Sequence, residues 1–156
     1  MSLDLNLPDE AATLRLGAAL AAGATPGRVL HLRGDLGAGK TTLVRGLLGA
    51  LGHTGRVKSP TYTLVEVYTL SRLNFYHFDF YRFEHRSEWL SSGFRDYFNP
   101  QSVCVVEWPE RAADLPAPDV DISLEFLGEA RRASLHASSD AGRSWLSSAQ
   151  PRLSPS

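Results

Sequence analysis

The chain has 156 residues, enough for one domain with a substantial buried core. Its formal net charge is −1 and its pI about 6.5, so no broad basic field draws it to nucleic acid, and any link to RNA is expected to run through a protein partner. A single cysteine, Cys104, excludes an internal disulfide. The start of the chain has no secretory pattern, and no stretch approaches the ~18 apolar residues of a membrane helix, so a soluble, cytoplasmic protein is expected.

Leu3, Leu5 and Leu7 alternate with polar residues and predict a first short strand. Pro8-Asp9-Glu10 opens a helix running to about Ala22, because proline suits a first turn and the acids suit the helix dipole. Leu14, Leu16, Ala18, Leu20 and Ala21 give that helix an apolar side. After a turn at Ala24-Thr25-Pro26-Gly27, the apolar-rich run 28–32 predicts a buried strand.

Gly34-Asp35-Leu36-Gly37-Ala38-Gly39-Lys40-Thr41 then fits G-x-x-x-x-G-K-[ST] at every fixed position. Glycines let the backbone curl so that several N–H groups point at phosphate oxygens. Lys40 reaches the β- and γ-phosphates, and the Thr41 hydroxyl can ligate Mg²⁺. The binding set expected here is Gly34, Gly37, Ala38, Gly39, Lys40, Thr41 and Thr42. Leu43, Val44, Leu47, Leu48 and Leu51 fall at helical spacing before a stop at Gly52, so a helix N-terminus adds its positive dipole end to the loop. Lys40 and Lys58 are the only lysines against fourteen arginines. A chain that otherwise uses arginine has placed lysine where a compact point charge is wanted.

The loop holding Ser59-Pro60-Thr61 follows, placed to approach a γ-phosphate. Residues 62–70 and 73–80 predict two strands joined near Ser71-Arg72, the second rich in aromatics. Ser87 is expected to cap a short helix with Glu88 in its first turn. Residues 103–106 form a continuous apolar run, hence a central strand buried on both faces. Cys104 lies inside it and is read as an inert buried thiol. Residues 119–126 and 132–137 alternate strictly across a Gly128-Glu129 turn, predicting a hairpin with one wet face on which Arg131 and Arg132 are solvated charges. A last helical turn or two is expected over 141–148, with a frayed Pro/Ser-rich tail at 149–156. The expected fold is α/β, a P-loop NTPase-like three-layer sandwich whose mixed sheet is parallel at its centre and antiparallel at one side, in a single domain over 1–148.

A nucleoside-triphosphate site needs an acid near Mg²⁺, commonly at the end of a buried strand. Glu107, directly after residues 103–106, is the candidate for the metal, together with Thr41. Asp79 closes a more amphipathic strand; it either orients water, holds a water on the metal, or bonds Arg82 structurally. Trp108 is equally a core aromatic or a nucleotide contact, Arg111 equally a phosphate or base contact or an exposed cation. His77 reads as a hydrogen-bonded core histidine. The N/T-K-x-D and D-x-x-G elements of guanine-nucleotide proteins are missing, which favours ATP.

Four segments in this order, 34–42 (GDLGAGKTT), 57–68 (VKSPTYTLVEVY), 75–82 (FYHFDFYR) and 106–111 (VEWPER), resemble the TsaE (YjeE) family, small bacterial ATPases of tRNA threonylcarbamoyladenosine biosynthesis. The likeness runs from about Leu3 to Ser148 and leaves the tail unexplained. It implies ATP and Mg²⁺ as cofactors, weak hydrolysis alone, and work with the proteins TsaB and TsaD, which modify the adenosine beside the anticodon in tRNAs reading codons that begin with A. By motif it implies that Lys40 binds phosphate, Thr41 and Glu107 hold Mg²⁺, Asp79 supports hydrolysis, and the 59–63 loop with Thr61 acts as a switch. A small-metabolite kinase and a nucleotide-gated scaffold without useful hydrolysis are the alternatives. The kinase reading lacks an arginine-rich lid.

Overall fold

The structure, a computed structural model, describes residues 1–153. Seven strands form one sheet: β1 (Ser2–Leu7), β2 (Val29–Arg33), β3 (Val65–Thr69), β4 (Asn74–Asp79), β5 (Ser102–Glu107), β6 (Val120–Leu127) and β7 (Ala130–Ala137). Their order is β1-β7-β6-β2-β5-β4-β3. The central four, β6-β2-β5-β4, are parallel. β7 and β1 extend one side antiparallel, and β3 adds a further antiparallel pair with β4 at the opposite edge.

Burial explains this order. All six residues of β5 are buried, so its apolar run lies at the middle of the sheet with a layer on each face. β6 and β7 alternate buried and open positions, which leaves one face wet. On one face lie α1 (Glu10–Leu20), α2 (Lys40–Ala50) and α4 (Asp140–Leu153), packed on Leu30, Leu32, Val103, Val105 and Ile122. Trp145 of α4 is fully buried there and donates its Nε1–H to the Leu20 carbonyl at 2.8 Å. The third layer is thinner: α3 (Glu88–Ser91), short 3-10 turns at 94–97 and 109–111, and a cluster of Phe78, Phe80, Phe83, Trp89, Cys104, Val106 and Ala112. Cys104 accordingly has its thiol pushed up to about 12 by burial.

Several boundaries differ from the sequence reading. α1 starts after Asp9, whose carboxylate accepts the Ala12 N–H at 2.8 Å, and stops at Leu20 before a 3-10 turn. The strand expected from residue 62 begins at Val65. Leu64 takes a left-handed φ of 69° and donates its N–H to the Pro60 carbonyl at 2.8 Å, so 61–64 is a turn. Ser87 makes no side-chain cap; Glu88 instead accepts the N–H groups of Glu84 and His85 at 2.6 and 2.9 Å. α4 runs through Leu153 with Pro151 in its last turn, past the boundary expected at Ser148; residues 154–156 of the expected tail lie outside the described residues. Among the described residues, no helix is long and apolar enough to cross a membrane.

Candidate functional site

The loop 34–39 joins the C-terminal end of β2 to the N-terminus of α2. Gly34 (φ 149°) and Gly39 (φ 109°) hold conformations that side chains resist, and a Cβ on Gly34 would lie 2.7 Å from the Leu124 carbonyl. The loop therefore curls tightly, with the first amides of α2 behind it.

Parallel pairing does the rest. β4 and β5 run in register, so Asp79 and Glu107 end side by side, and Glu107 pairs with Leu32 just before the loop. Thr41 Oγ1 donates to Glu107 Oε2 at 3.2 Å. Asp79 accepts the Tyr81 N–H at 2.9 Å and the Thr61 hydroxyl at 3.4 Å, and Thr61 meets Ser59 at 2.8 Å. No bond runs from Asp79 to Arg82, whose guanidinium lies over Tyr62 instead, 4.7 Å from its centroid. Lys40, Thr41, Asp79, Glu107, Thr61 and Trp108 surround one cavity of about 240 Å³, with Gly37, Ala38, Gly39 and Thr42 as its floor.

Lys40 is 5% exposed, and its ammonium donates to the carbonyls of Gly34 and Asp35. It also lies 4.5 Å from the centroid of Trp108. Burial lowers its pKa against the pull of Glu107 and Asp79. Burial raises the pKa of Asp79, and the neighbouring Glu107 charge adds to the rise against the Tyr81 hydrogen bond. Trp108 reaches its position through a left-handed backbone, φ 57° and ψ 50°, immediately after β5. Arg111 does not line the cavity. It donates to the Tyr81 carbonyl at 3.1 Å and packs on the rings of Tyr81 and Trp108, so it braces the wall.

The donor set fits a hard divalent cation that brings its own oxygens. Thr41 and Glu107 offer hydroxyl and carboxylate oxygen at one point, and among the described residues no cluster of three His, Cys, Asp or Glu side chains could bind a metal unaided. Mg²⁺ is commonly held by one or two protein oxygens plus substrate phosphates and water.

A second cavity, about 160 Å³, lies across the same loop. It shares Gly37, Ala38, Gly39 and Thr42 with the first and adds Leu7 from the end of β1, Asp9, Glu10 and Thr13 from the cap and first turn of α1, and Glu129 and Arg131 from the β6–β7 hairpin. Thr13 is 3% exposed and sits close enough to Gly39 that a Cβ there would touch it at 3.4 Å. Arg131, expected to be a solvated charge, packs on Phe126 at 4.3 Å and donates to the Gly37 carbonyl at 3.3 Å. Arg132 does face outward and pairs with Asp4 at 3.4 Å. Nothing in the sequence marked Thr13 or Arg131, because only the tertiary fold brings segments so distant in the chain to one loop.

The chain matches the model of the family described as "Threonylcarbamoyl adenosine biosynthesis protein TsaE" over residues 7–134. It belongs to the TsaE family. The "tRNA threonylcarbamoyladenosine biosynthesis protein TsaE" of Haemophilus influenzae is 42% identical over 152 residues, covering 94% of this chain and 96% of that protein. The Bacillus subtilis protein of the same name is 45% identical over 113 residues, 72% of this chain and 70% of that one. The crystal structure of Bacillus subtilis YdiB superposes with a TM-score of 0.85 at 30% identity, over 99% of this chain and 97% of that chain. The matched segment, residues 7–134, includes residues 34–41 and both acids.

Proposed function

We propose that this chain binds and hydrolyses ATP with Mg²⁺, and that it does so within tRNA threonylcarbamoyladenosine biosynthesis, alongside TsaB and TsaD. The observation that carries the chemistry is the convergence of Lys40, Thr41, Asp79 and Glu107 on one cavity at the mouth of the phosphate loop. The pathway rests on membership of the TsaE family and on the names of its relatives.

In this reading the two cavities divide the nucleotide between them. The γ-phosphate end would lie with Lys40, Thr41, Asp79 and Glu107; Thr41 and Glu107 would hold Mg²⁺, which would supply positive charge against the phosphate oxygens. The nucleoside leaves past Thr42 into the cavity of Thr13, Glu10 and Arg131, because the loop wraps the phosphates between. Lys40 exchanges the Gly34 and Asp35 carbonyls for phosphate oxygens. Asp79, raised in pKa by burial, is the acceptor placed to orient the attacking water, and Thr61 and Ser59 connect it to the 59–63 loop. No described arginine lines the γ-phosphate cavity, so a group supplied by a partner, worth roughly 10³–10⁵ in rate, is the expected accelerant.

The test is ATP turnover by the isolated chain, then with TsaB and TsaD added, followed by assay of the modified base in tRNA. Slow turnover that rises on mixing is expected. Fast turnover unchanged by partners would count against the reading, and phosphate transfer to an acceptor other than water would replace it with a kinase.

A further inference from the structure

His77 stands on β4 two residues before Asp79, and its side chain is fully buried. Its Nε2 lies 2.5 Å from Glu107 Oε2. That same oxygen accepts the Thr41 hydroxyl at 3.2 Å. His77 Nδ1 is buried and has no hydrogen-bond partner among the described residues. The ring's one polar contact is therefore the carboxylate that the proposed metal site uses.

The contact also fixes the tautomer. With the proton on Nδ1, a buried N–H would go unpaired and the bare Nε2 lone pair would face a carboxylate oxygen at 2.5 Å, which is repulsive. The proton belongs on Nε2, where it is donated to Glu107. Oε2 then accepts from both His77 and Thr41, while Oε1 accepts no hydrogen bond from any described residue, and Glu107 lines the cavity.

We infer that His77 is a positioning residue for the cation: its Nε2–H pins Oε2 of Glu107, so that Oε1 is the oxygen presented to Mg²⁺. The inference rests on the proposed Mg²⁺-nucleotide site. Partners that orient a ligating group commonly govern metal affinity by 10–100-fold. A histidine with no such role would set only packing. Here the geometry couples an interior side chain to the orientation of a carboxylate at the cavity wall, through a bond between neighbouring strands β4 and β5.

The experiment is calorimetric titration of ATP over a series of Mg²⁺ concentrations, and once with Mg²⁺ chelated, for the wild-type chain and three variants. His77→Gln places an amide N–H near the position of Nε2. His77→Asn places it one methylene short, and His77→Phe keeps bulk without a donor. The half-saturating Mg²⁺ concentration is expected to rise about tenfold or more in His77→Phe and His77→Asn and to stay within about threefold in His77→Gln. Binding of metal-free ATP should match wild type in all three. If His77→Phe does not fold, the Gln and Asn pair carries the comparison. Equal Mg²⁺ dependence in the Gln and Asn variants overturns the inference, as does loss of metal-free ATP binding in parallel with thermal stability. A wild-type chain that binds no ATP defeats the functional proposal itself, a result distinct from either of these.

Discussion

His31 lies on β2, 4% exposed, with both ring nitrogens buried and no well-formed hydrogen bond to a described residue, the Pro116 backbone being its one weak polar neighbour. Burial lowers its pKa from 6.5 to about 4, with Asp121 pulling upward and Arg33 downward. The folded state thus binds fewer protons than the unfolded chain between these values, and stability falls as pH drops through that window. The gap corresponds to about 3 kcal/mol. In His31→Leu the same window should be nearly flat for this position, so the stability difference between variant and wild type should shift by about 3 kcal/mol from neutral pH to about pH 4, measured by urea unfolding. An unchanged difference would show that the ring reaches solvent or a partner. Asp79 has the opposite sign. Its raised pKa means that folding holds the proton more tightly than the unfolded chain does, so stability is lost as pH rises from the ordinary value of 3.8 through the raised one. Asp79→Asn keeps the acceptor for Tyr81 and removes the buried charge. It should raise the midpoint of thermal unfolding at neutral pH. The gain should shrink in acid, and ATP hydrolysis should be lost while ATP binding stays. A variant that is less stable at neutral pH would show that the charge is held by more than the Tyr81 and Thr61 bonds.

At the level of elements, the crossing of α1 and α2 is set by two glycines. A Cβ on Gly17 would lie 2.0 Å from the Leu43 carbonyl, and one on Gly46 would lie 2.2 Å from the Leu14 carbonyl. Each helix thus offers a bare backbone to the other, and α2 cannot shift without moving the loop at its N-terminus. Gly49, on the same helix, is exposed, and a Cβ there would meet nothing within 4 Å. Alanine at 49 should stabilise by about 0.5–1 kcal/mol through helix propensity alone. Alanine at 46 gains the same propensity but forces the helices apart, and overpacking of this kind costs about 1–3 kcal/mol or more. Thermal melts should therefore move in opposite directions for Gly49→Ala and Gly46→Ala; a rise in both would refute the close crossing. Periodicity made α2 and the β6–β7 hairpin legible in the sequence, because their apolar spacing reports burial directly. It also located β5, whose unbroken apolar run could only be a central strand, and so placed Glu107 at the strand end beside the loop. What spacing could not report was the other side of the loop. Arg131 sits in a wet-face pattern and Thr13 in a helix, and neither carries a mark of contact with Gly37 or Gly39. Nor could it foretell that Leu64 would turn left-handed and shorten β3, since that depends on how the 59–63 loop meets Asp79.

The whole molecule meets itself at one loop. The end of β1 and the start of α1, the ends of β4 and β5, and the β6–β7 hairpin all border the two cavities that flank residues 34–41. A ligand spanning both cavities would touch segments at either end of the chain and at its centre, and would therefore stabilise the fold as a unit. Binding to the folded state alone stabilises by about 2.7 kcal/mol when ligand stands at 100 times its dissociation constant. For a chain of this length that corresponds to a rise of roughly 5–10 °C in the unfolding midpoint. ATP with Mg²⁺ should produce such a rise, ATP with chelator a smaller one, and inorganic triphosphate one confined to the Lys40 side. Lys40→Ala should abolish the shift, because it removes the cation between the two acids and the loop carbonyls. It should move the unliganded midpoint far less than the liganded one, since relief from burying the ammonium is opposed by leaving Glu107 and Asp79 without their cation. Arg131→Ala tests the far side: it should reduce the shift with ATP while leaving that with triphosphate intact, since its contacts are with Gly37 and Phe126 rather than with the acids. Equal shifts with ATP and with triphosphate in the wild-type chain would mean that the second cavity takes no part in binding, and the nucleoside would then have to leave the loop by another route.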